Sequence, residues 1–202
     1  MKARFERWRI RTSVLAGVTF LALMAVTSSQ LEEDAPIVSA LVFFVGLILV
    51  GIASVGRLWC SLYIAGRKTR RLVTEGPYSV SRNPLYFFSL VGFAGVGLAS
   101  ETVSVPLTLI IAFGLYYPTV IRAEERRLHA LHAAEYEQYT NSTPRFFPAF
   151  GRLVEPETFA VNPRVFRRHV IHALVFVWAV GILELFEKLR DLGWIPQVWA
   201  IY

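Results

Sequence analysis

The chain has 202 residues, of which 54% are hydrophobic, and its mean hydropathy is +0.46. It is therefore too apolar for an ordinary soluble domain and too long for a single membrane anchor. The formal net charge of +6 would suit a nucleic-acid partner in a soluble protein, but here the basic residues lie between apolar runs, as the positive-inside rule describes. We expect a membrane protein with no nucleic-acid partner. The single cysteine, Cys60, excludes an internal disulfide bond.

Long apolar runs without charged residues define the predicted transmembrane helices. Four of them reach roughly the 18–20 residues that a helix needs to cross the hydrocarbon: 12–31, 35–56, 83–100 and 103–121. A fifth run, 170–186, is interrupted by His172 and by Glu184. The sequence therefore predicts an all-α, polytopic membrane protein with about five transmembrane helices.

We interpret residues 1–202 as one membrane domain with three parts. Residues 1–56 supply two anchor helices, residues 57–150 hold the functional core with helices three and four, and residues 151–202 form a basic linker and the last helix. The arginines of the linker are typical of a segment that binds anionic lipid headgroups.

The charges of the loops alternate along the chain. Basic residues cluster before the first run, in the loop 57–84 and in the loop 122–169, whereas the loop 32–34 is acidic and the turn at Glu101 has no basic residue. Because Lys and Arg accumulate on the cytoplasmic side of a membrane, we predict that the N-terminus and both basic loops are cytoplasmic. A fifth crossing would place the C-terminus outside.

Helix four contains Pro118, which cannot donate a hydrogen bond to the carbonyl of Gly114. Two interpretations are open. A kink beside Tyr116 and Tyr117 either opens a cavity or only bends the helix.

Residues 122–139 are predicted to form a helix that leaves the membrane. At 100° per residue, Glu124 falls on the same narrow sector as Leu128 and Leu131, in the middle of an apolar stripe. A carboxylate on a buried stripe needs a cation or several hydrogen-bond donors. The neighbouring Glu125 lies to one side of the stripe, where a surface ion pair with Arg122 is the simplest expectation.

Two segments carry motifs in a recognisable order. "GPYSVSRNPLYF" begins at Gly76, and "EERRLHALHAAEYEQYTNSTPRFFP" begins at Glu124. Together they resemble the isoprenylcysteine carboxyl methyltransferase family and its relatives, the phospholipid N-methyltransferases. The family pattern G-x-Y-x-x-x-R-H-P-x-Y falls at 76–86, E-E-x-x-L at 124–128, the x-E-Y-x-x-Y part of G-x-E-Y-x-x-Y at 134–139 and P-x-x-x-P at 144–148. The resemblance covers about residues 56–150.

The resemblance implies an integral membrane enzyme that uses S-adenosylmethionine, with a cofactor pocket at the cytoplasmic ends of helices three and four. The residues that it implies for cofactor binding are Tyr63, Arg70, Arg71, Leu72, Val73, Tyr78, Asn83, Pro84, Leu85, Tyr86 and Glu124; it implies no metal. These residue types suit the cofactor, because aromatic faces attract a cationic sulfonium and a carboxylate accepts from ribose hydroxyls or an ammonium. The two prolines, Pro77 and Pro84, would fix the backbone so that the binding groups are preorganised.

Two positions depart from the family pattern. Asn83 replaces the family histidine, so this position has no group that titrates near neutral pH. Val120 stands where the isoprenylcysteine branch carries an arginine that faces the substrate carboxylate, and the nearest arginine is Arg122. This leaves Arg82 and Arg122 as the candidate catalytic arginines, since a guanidinium suits a carboxylate or phosphate. We expect a lipid or small apolar methyl acceptor, with amines, thiols and phospholipid headgroups all open.

Two other functions are compatible with parts of the pattern. Sterol-reductase-like membrane enzymes share a similar G-x-Y…R-H-P-x-Y region but use a nicotinamide cofactor, and the Glu-Glu motif favours the methyltransferase over them. A non-catalytic membrane scaffold that has kept the motifs is the third possibility. A cofactor-binding titration distinguishes the three.

Overall fold

The structure of the protein is a computed structural model that describes residue 17 and residues 19–66 and 71–202. The N-terminal basic cluster and the predicted cofactor residue Arg70 lie outside the described residues. Of the first apolar run, residues 19–25 are described as helical.

Helices dominate the part of the chain that follows. The elements are β1 (Thr27–Ser29), α1 (Gln30–Asp34), α2 (Pro36–Ile64), α3 (Pro77–Val80), α4 (Pro84–Leu98), α5 (Ser104–Ser142), a 3₁₀ turn (Phe150–Arg152), α6 (Pro163–Ala173), α7 (Val175–Asp191) and β2 (Trp199–Ile201).

Three described stretches are long and apolar enough to cross a membrane: α2, α5 and the combined α6–α7 stretch Pro163–Asp191. The predicted helical membrane fold is therefore confirmed. The third apolar run forms α4, which has only 15 residues because Pro84 begins it and a turn at residues 99–100 ends it. At 1.5 Å per residue α4 is about 22 Å long, shorter than the hydrocarbon of about 30 Å.

The backbones of α2 and α4 touch at two glycines. A Cβ atom at Gly46 would lie 2.6 Å from the Ala99 nitrogen, and one at Gly95 would lie 2.8 Å from the Val50 nitrogen. Small residues permit this close approach between membrane helices. Around this contact Val50, Ala99 and residues of α7 such as Phe176 form the main apolar core.

The two short strands lie at one end of the helices. β1 pairs with β2 in parallel, with Thr27 opposite Trp199. Next to them Glu101 has a positive φ of 56°, and its carbonyl accepts from the Ser29 hydroxyl at 2.6 Å. Neither strand was predicted, since three residues are too few to show a strand periodicity.

Helix α5 leaves the core as a long extension, which confirms the helix predicted at 122–139. Its backbone angles are non-helical at Ala133 (φ 16°, ψ −95°), whereas Pro118 keeps helical angles. The interruption therefore lies beyond the apolar half of α5 and not at the proline.

Residues 143–154, which we call the closing segment, return from the end of α5 to the Gly-Pro-Tyr region. Backbone and hydroxyl hydrogen bonds join the two: Gly76 N–H to the Val154 carbonyl (2.8 Å), Arg82 N–H to the Pro144 carbonyl (2.8 Å), Ala149 N–H to the Val80 carbonyl (2.9 Å) and the Ser81 hydroxyl to the Phe146 carbonyl (2.9 Å). The closing segment thereby fixes the chain between α3 and α4, where most of the predicted site residues lie.

Candidate functional site

Two separate motifs meet at one small cavity. It lies between the end of α2, residues 71–73, the α3–α4 junction and the outer half of α5. Its walls are formed by Ile64, Arg71, Leu72, Val73, Tyr78, Arg82, Asn83, Pro84, Leu85, Tyr86, Glu124, Leu128 and Tyr139. The structure thus brings together all the predicted cofactor residues that it describes except Tyr63, and it adds the candidate catalytic Arg82.

The cavity has a volume of about 70 Å³. Pockets that hold small molecules typically have at least about 300 Å³, so a nucleoside-sized ligand requires the walls to separate. A second, more polar cavity of about 700 Å³ lies beside the first and shares Arg71, Leu72 and Tyr139 with it.

Tyr86 and Glu124 form the link between the two motifs. The Tyr86 hydroxyl donates to Glu124 Oε2 at 2.6 Å, and the Tyr86 ring meets the Tyr117 ring edge-on at 5.5 Å between centroids. Glu124 is half-buried in the cavity wall, as the helical periodicity predicted. Its carboxylate keeps further acceptor positions, because an ionised carboxylate has about four lone-pair sites.

Glu125 does not pair with Arg122, so the surface ion pair expected from the sequence is wrong. Its side chain is only 16% exposed, and it accepts from Arg145 Nη2 at 2.8 Å and from Asn83 Nδ2 at 3.1 Å. Arg82 Nη1 lies 3.9 Å away. The hydrogen bonds to Glu125 raise the pKa of Arg145. The reason for the difference is the closing segment, which brings Arg145 to α5 from outside the helix.

Asn83 is buried, and its side-chain amide is held by two acceptors. Besides Glu125, Nδ2 donates to the Arg145 carbonyl at 2.9 Å, while the Asn83 backbone N–H donates to the Ser81 hydroxyl at 3.2 Å. Asn83 therefore fastens the start of α4 to the closing segment, and its amide donors are directed there.

Arg82 lines the cavity and is less constrained than Asn83. Its side chain is 17% exposed, and the Nε atom is buried without a hydrogen-bond partner in the described part of the chain. Arg122, in contrast, is exposed on α5 and does not line the cavity. Of the two candidate catalytic arginines, the structure places only Arg82 at the site.

Tyr78 contributes both its ring and its backbone. Burial raises the pKa of Tyr78 well above its ordinary value, so the phenol stays protonated at neutral pH. Its carbonyl accepts from the Tyr139 hydroxyl at 2.7 Å, which links α3 to the end of α5. Tyr78 can therefore offer an aromatic face and a neutral hydroxyl, and not a phenolate base.

Tyr63 supports the Gly-Pro-Tyr turn and does not line the cavity. A Cβ atom at Gly76 would lie 2.3 Å from Cζ of Tyr63, and the Tyr63 ring packs on Phe159 at 4.4 Å between centroids. Gly76 has a φ of +60° and a ψ of −131°, a region that is essentially restricted to glycine. The direct cofactor contact implied for Tyr63 stays a prediction.

Three wall residues were not assigned from the sequence: Ile64, Leu128 and Tyr139. Leu128 is the leucine of E-E-x-x-L, and Tyr139 is the last residue of the following motif. The positions of Leu128 and Tyr139 in these motifs were the signal that could have identified these two residues. Across the described residues, no group of three or more His, Cys, Asp or Glu side chains is arranged to hold a metal ion.

Comparison with known proteins gives one family and two close relatives. The sequence model for phospholipid methyltransferase matches residues 35–135, in agreement with the resemblance drawn from the motifs. The chain is 36% identical over 193 residues to the nickel-cobalt-cadmium resistance protein NccN of Alcaligenes xylosoxydans xylosoxydans, covering 96% of this chain and 87% of the relative. It is 38% identical over 191 residues to the cobalt-zinc-cadmium resistance protein CzcN of Cupriavidus metallidurans, covering 94% and 84%. No solved structure matches significantly.

Proposed function

Because the chain belongs to the phospholipid methyltransferase family, we propose that it is a membrane methyltransferase that uses S-adenosylmethionine to methylate a lipid or small apolar acceptor. The observation that carries this proposal is the convergence of residues 71–73, Tyr78, 83–86 and Glu124 on one cavity. These residues come from segments that are far apart in the sequence.

The wall of the cavity fits the chemistry of this cofactor. The Glu124 carboxylate, oriented by Tyr86, would accept from ribose hydroxyls or from an ammonium group. The aromatic faces of Tyr78 and Tyr86 would stabilise positive charge. When bound, the cofactor supplies a methyl group activated by the positive charge of its sulfonium.

The contribution of the protein to methyl transfer would be mainly positional. Holding two reactants in a productive geometry lowers a barrier by up to about 7–11 kcal/mol in ideal cases. Closing the walls around the reactants would also exclude water from the acceptor atom. We propose that Arg82 orients an anionic group, since it has a buried Nε without a partner in the described part of the chain. Because Arg122 does not line the cavity, it could contact only a part of the acceptor that lies outside the cavity.

The direct test is methyl transfer by the purified protein in lipid nanodiscs. The protein is incubated with methyl-labelled S-adenosylmethionine and a membrane lipid extract, and the labelled product is identified by mass spectrometry. The Glu124→Gln variant is the matched control, and we expect label in lipid with the wild type only. Titrations with S-adenosylhomocysteine and with NADPH separate the alternatives. Binding of NADPH alone would favour a reductase, and binding of neither would favour a scaffold.

A second proposal concerns the role of the protein in the cell. The two relatives are named as resistance proteins for nickel, cobalt, zinc and cadmium, and they match nearly the whole chain. We propose that the present protein supports resistance to such metals through its methyltransferase activity. In a host that lacks the gene, the wild type should restore growth in cobalt, nickel or cadmium, and Glu124→Gln should not. Full restoration by Glu124→Gln would separate resistance from methyl transfer.

A further inference from the structure

Tyr117 stands directly before Pro118 in α5, where the sequence predicts a kink. Because proline cannot donate to the carbonyl of Gly114, one backbone hydrogen bond of the helix is missing here. Pro118 nevertheless keeps helical angles, so the backbone shows no interruption at this point. The backbone therefore gives the tyrosine beside the proline no special role, and the contacts of its ring are what distinguish it.

The Tyr117 ring packs against its own helix and against α4. It stacks on the buried Phe113, one helical turn earlier, with 4.0 Å between the centroids and 14° between the planes. Phe93 of α4 meets it edge-on, at 6.2 Å between the centroids. Stacked and edge-on aromatic pairs are attractive beyond the burial of their surfaces, so these contacts favour one position of the half-buried Tyr117 ring.

The same ring also contacts Tyr86, at the start of α4. The two rings meet edge-on, with 5.5 Å between the centroids and 64° between the planes. The Tyr86 hydroxyl in turn donates to Glu124 Oε2 at 2.6 Å. Tyr86 and Glu124 line the small cavity, and Tyr117 is not among its wall residues. Tyr117 therefore bears on the cavity through the ring of Tyr86.

The aromatic contacts extend from Tyr117 to the closing segment. The ring of Phe113, on which Tyr117 stacks, lies 6.2 Å from the ring of Phe146, and the Phe146 ring lies 6.0 Å from that of Phe87, with all distances between centroids. The Phe146 carbonyl also accepts from the Ser81 hydroxyl at 2.9 Å. These rings therefore connect Tyr117 with the segment that fixes the start of α4.

Packing alone is the simplest explanation of these contacts, and it makes a different prediction. A residue that only packs α5 on α4 stabilises the folded chain but does not alter the affinity of the folded chain for a ligand. The Tyr86 hydroxyl, however, donates to Glu124 only while its ring keeps one orientation, since hydrogen bonds weaken steeply with angle. The groups of a binding site are held in such a geometry by the packing of the residues behind them, and Tyr117 packs directly on Tyr86.

We propose that Tyr117 is a positioning residue, whose ring holds Tyr86 in the orientation in which the Tyr86 hydroxyl orients the Glu124 carboxylate. The ring contacts are independent of the ligand, whereas the identity of the ligand as S-adenosylmethionine rests on the proposed function. Tyr117 and Glu124 are seven residues apart on α5, a rise of about 10.5 Å. Substitutions at that distance are usually additive unless the residues share a partner, and Tyr86 is a partner that these two share.

The test is a double-mutant cycle, measured by calorimetric titration of S-adenosylhomocysteine into the full chain in detergent. We expect Tyr117→Leu to lower the affinity about three- to tenfold, within the range of an aromatic pair. In the Glu124→Gln background the same substitution should change the affinity less than about twofold, because the carboxylate that it positions is gone. Tyr117→Phe keeps the ring and should bind within about twofold of the wild type.

Phe88→Leu is the matched control, since it also replaces a packed ring by leucine. Phe88 is buried on α4, its ring lies 5.4 Å from that of Phe87, and it is not among the wall residues of the cavity. It should lower the melting temperature, as Tyr117→Leu does, but leave the affinity within about twofold of the wild type. If Tyr117→Leu does not fold, Tyr117→Met replaces it in the cycle, with the same expected values.

Three results of the titration would overturn the positioning role. The first is an equal loss of affinity in Tyr117→Leu and Phe88→Leu, which would mean that any loosening of α4 weakens the site. The second is a loss in Tyr117→Leu that is the same with and without the Glu124 carboxylate. The third is a loss in Tyr117→Phe as large as that in Tyr117→Leu, because the ring would then not be the group that acts.

Thermal unfolding separates a failure of this inference from a failure of the proposed function. If the wild type does not bind S-adenosylhomocysteine, the proposed function is wrong, and the same cycle is measured by melting temperature without a ligand. The loss in the double variant Tyr117→Leu/Glu124→Gln should then be smaller than the sum of the single losses by at least about 2 °C. Additive losses would overturn the positioning role, whatever the ligand of the cavity is.

Discussion

The Tyr86 hydroxyl donates to Glu124 Oε2 at 2.6 Å, and this bond connects the first turn of α4 to the outer half of α5. A hydrogen bond to an ionised carboxylate is roughly twice as strong as one between neutral groups. It also fixes the orientation of a half-buried carboxylate and supplies a donor that offsets part of the cost of its burial. The bond therefore gives the cavity one wall with a defined acceptor.

This relationship yields the first prediction. Glu124→Gln should lower the affinity for S-adenosylhomocysteine about ten- to a hundredfold, because loss of a charge-assisted hydrogen bond costs about 1.5–3 kcal/mol. Tyr86→Phe keeps the ring and removes only the donor, so its loss should be smaller. Calorimetric titration in detergent measures both. If Glu124→Gln binds S-adenosylhomocysteine with the affinity of the wild type, Glu124 does not contact the cofactor.

The second prediction concerns stability and not affinity. Glu125 holds Arg145 and Asn83 in a nearly enclosed position, so Glu125→Gln should lower the free energy of unfolding by about 1.5–3 kcal/mol. Arg145→Gln should have a similar but smaller effect, since the Arg145 side chain is 48% exposed. Thermal unfolding of both variants and of the double variant measures their coupling.

Additive losses in the double variant would contradict a direct interaction between Glu125 and Arg145. As a control, the affinity for S-adenosylhomocysteine is measured for Glu124→Gln and for Glu125→Gln. A larger loss of affinity in Glu125→Gln than in Glu124→Gln would show that Glu125 is the glutamate that contacts the cofactor.

The contrast between these glutamates shows how far the sequence could lead. Glu124 was predicted at the buried stripe because it and Leu128 lie in a regular helical stretch before the interruption at Ala133, where periodicity determines the direction of each side chain. Leu131, also predicted on the stripe, is exposed. The partner of Glu125 was missed because helical rules consider only neighbours three or four residues away. Arg145 reaches Glu125 through the turn at Thr143 and the closing segment, which no periodicity describes.

The lengths of the elements show a similar limit. Apolar runs identified the three described stretches that could cross a membrane. The run 12–31, in contrast, ends in β1, and the run 83–100 predicted a full crossing whereas α4 has only 15 residues. Proline at the start of α4 was visible in the sequence, whereas the turn at residues 99–100 that ends it was not. The parallel pairing of β1 with β2 joins parts of the chain that are far apart, and local patterns carry no information on it.

The third prediction tests the contact between α2 and α4. Gly46→Ala should lower the free energy of unfolding by about 1–3 kcal/mol, because the new Cβ would meet the backbone of Ala99 at 2.6 Å and one helix would have to move. Gly51→Ala is the matched control on the same helix, since a Cβ there has no neighbour within 4 Å. Thermal unfolding in detergent compares the two. Equal stability of both variants would contradict the backbone contact.

The fourth prediction is the topology, which rests on the charge of the loops. Single cysteines at Glu33 and at Glu157, both exposed, report opposite sides of the membrane. An impermeant maleimide should label Glu33→Cys in intact cells and Glu157→Cys only after permeabilisation. Cys60 is buried and should not react in the folded protein, and Cys60→Ala provides the background for both variants. Labelling of both positions from the same side would contradict the charge alternation.

The fifth prediction concerns Arg82. Its guanidinium lines the cavity, with Nη1 3.9 Å from Glu125 and Nε buried without a partner among the described residues. We expect it to orient an anionic group of the cofactor or acceptor through its planar fork, which a lysine ammonium cannot reproduce. Arg82→Lys should therefore lower kcat/KM about tenfold or more, corresponding to about 1.4 kcal/mol of lost transition-state stabilisation.

The measurement is steady-state methyl transfer in nanodiscs, with thermal unfolding to confirm that the variant is folded. Arg126→Lys, at an exposed position on α5, is the control. Wild-type turnover in Arg82→Lys would mean that a positive charge near Glu125 is sufficient, and Arg82 would then only balance that carboxylate.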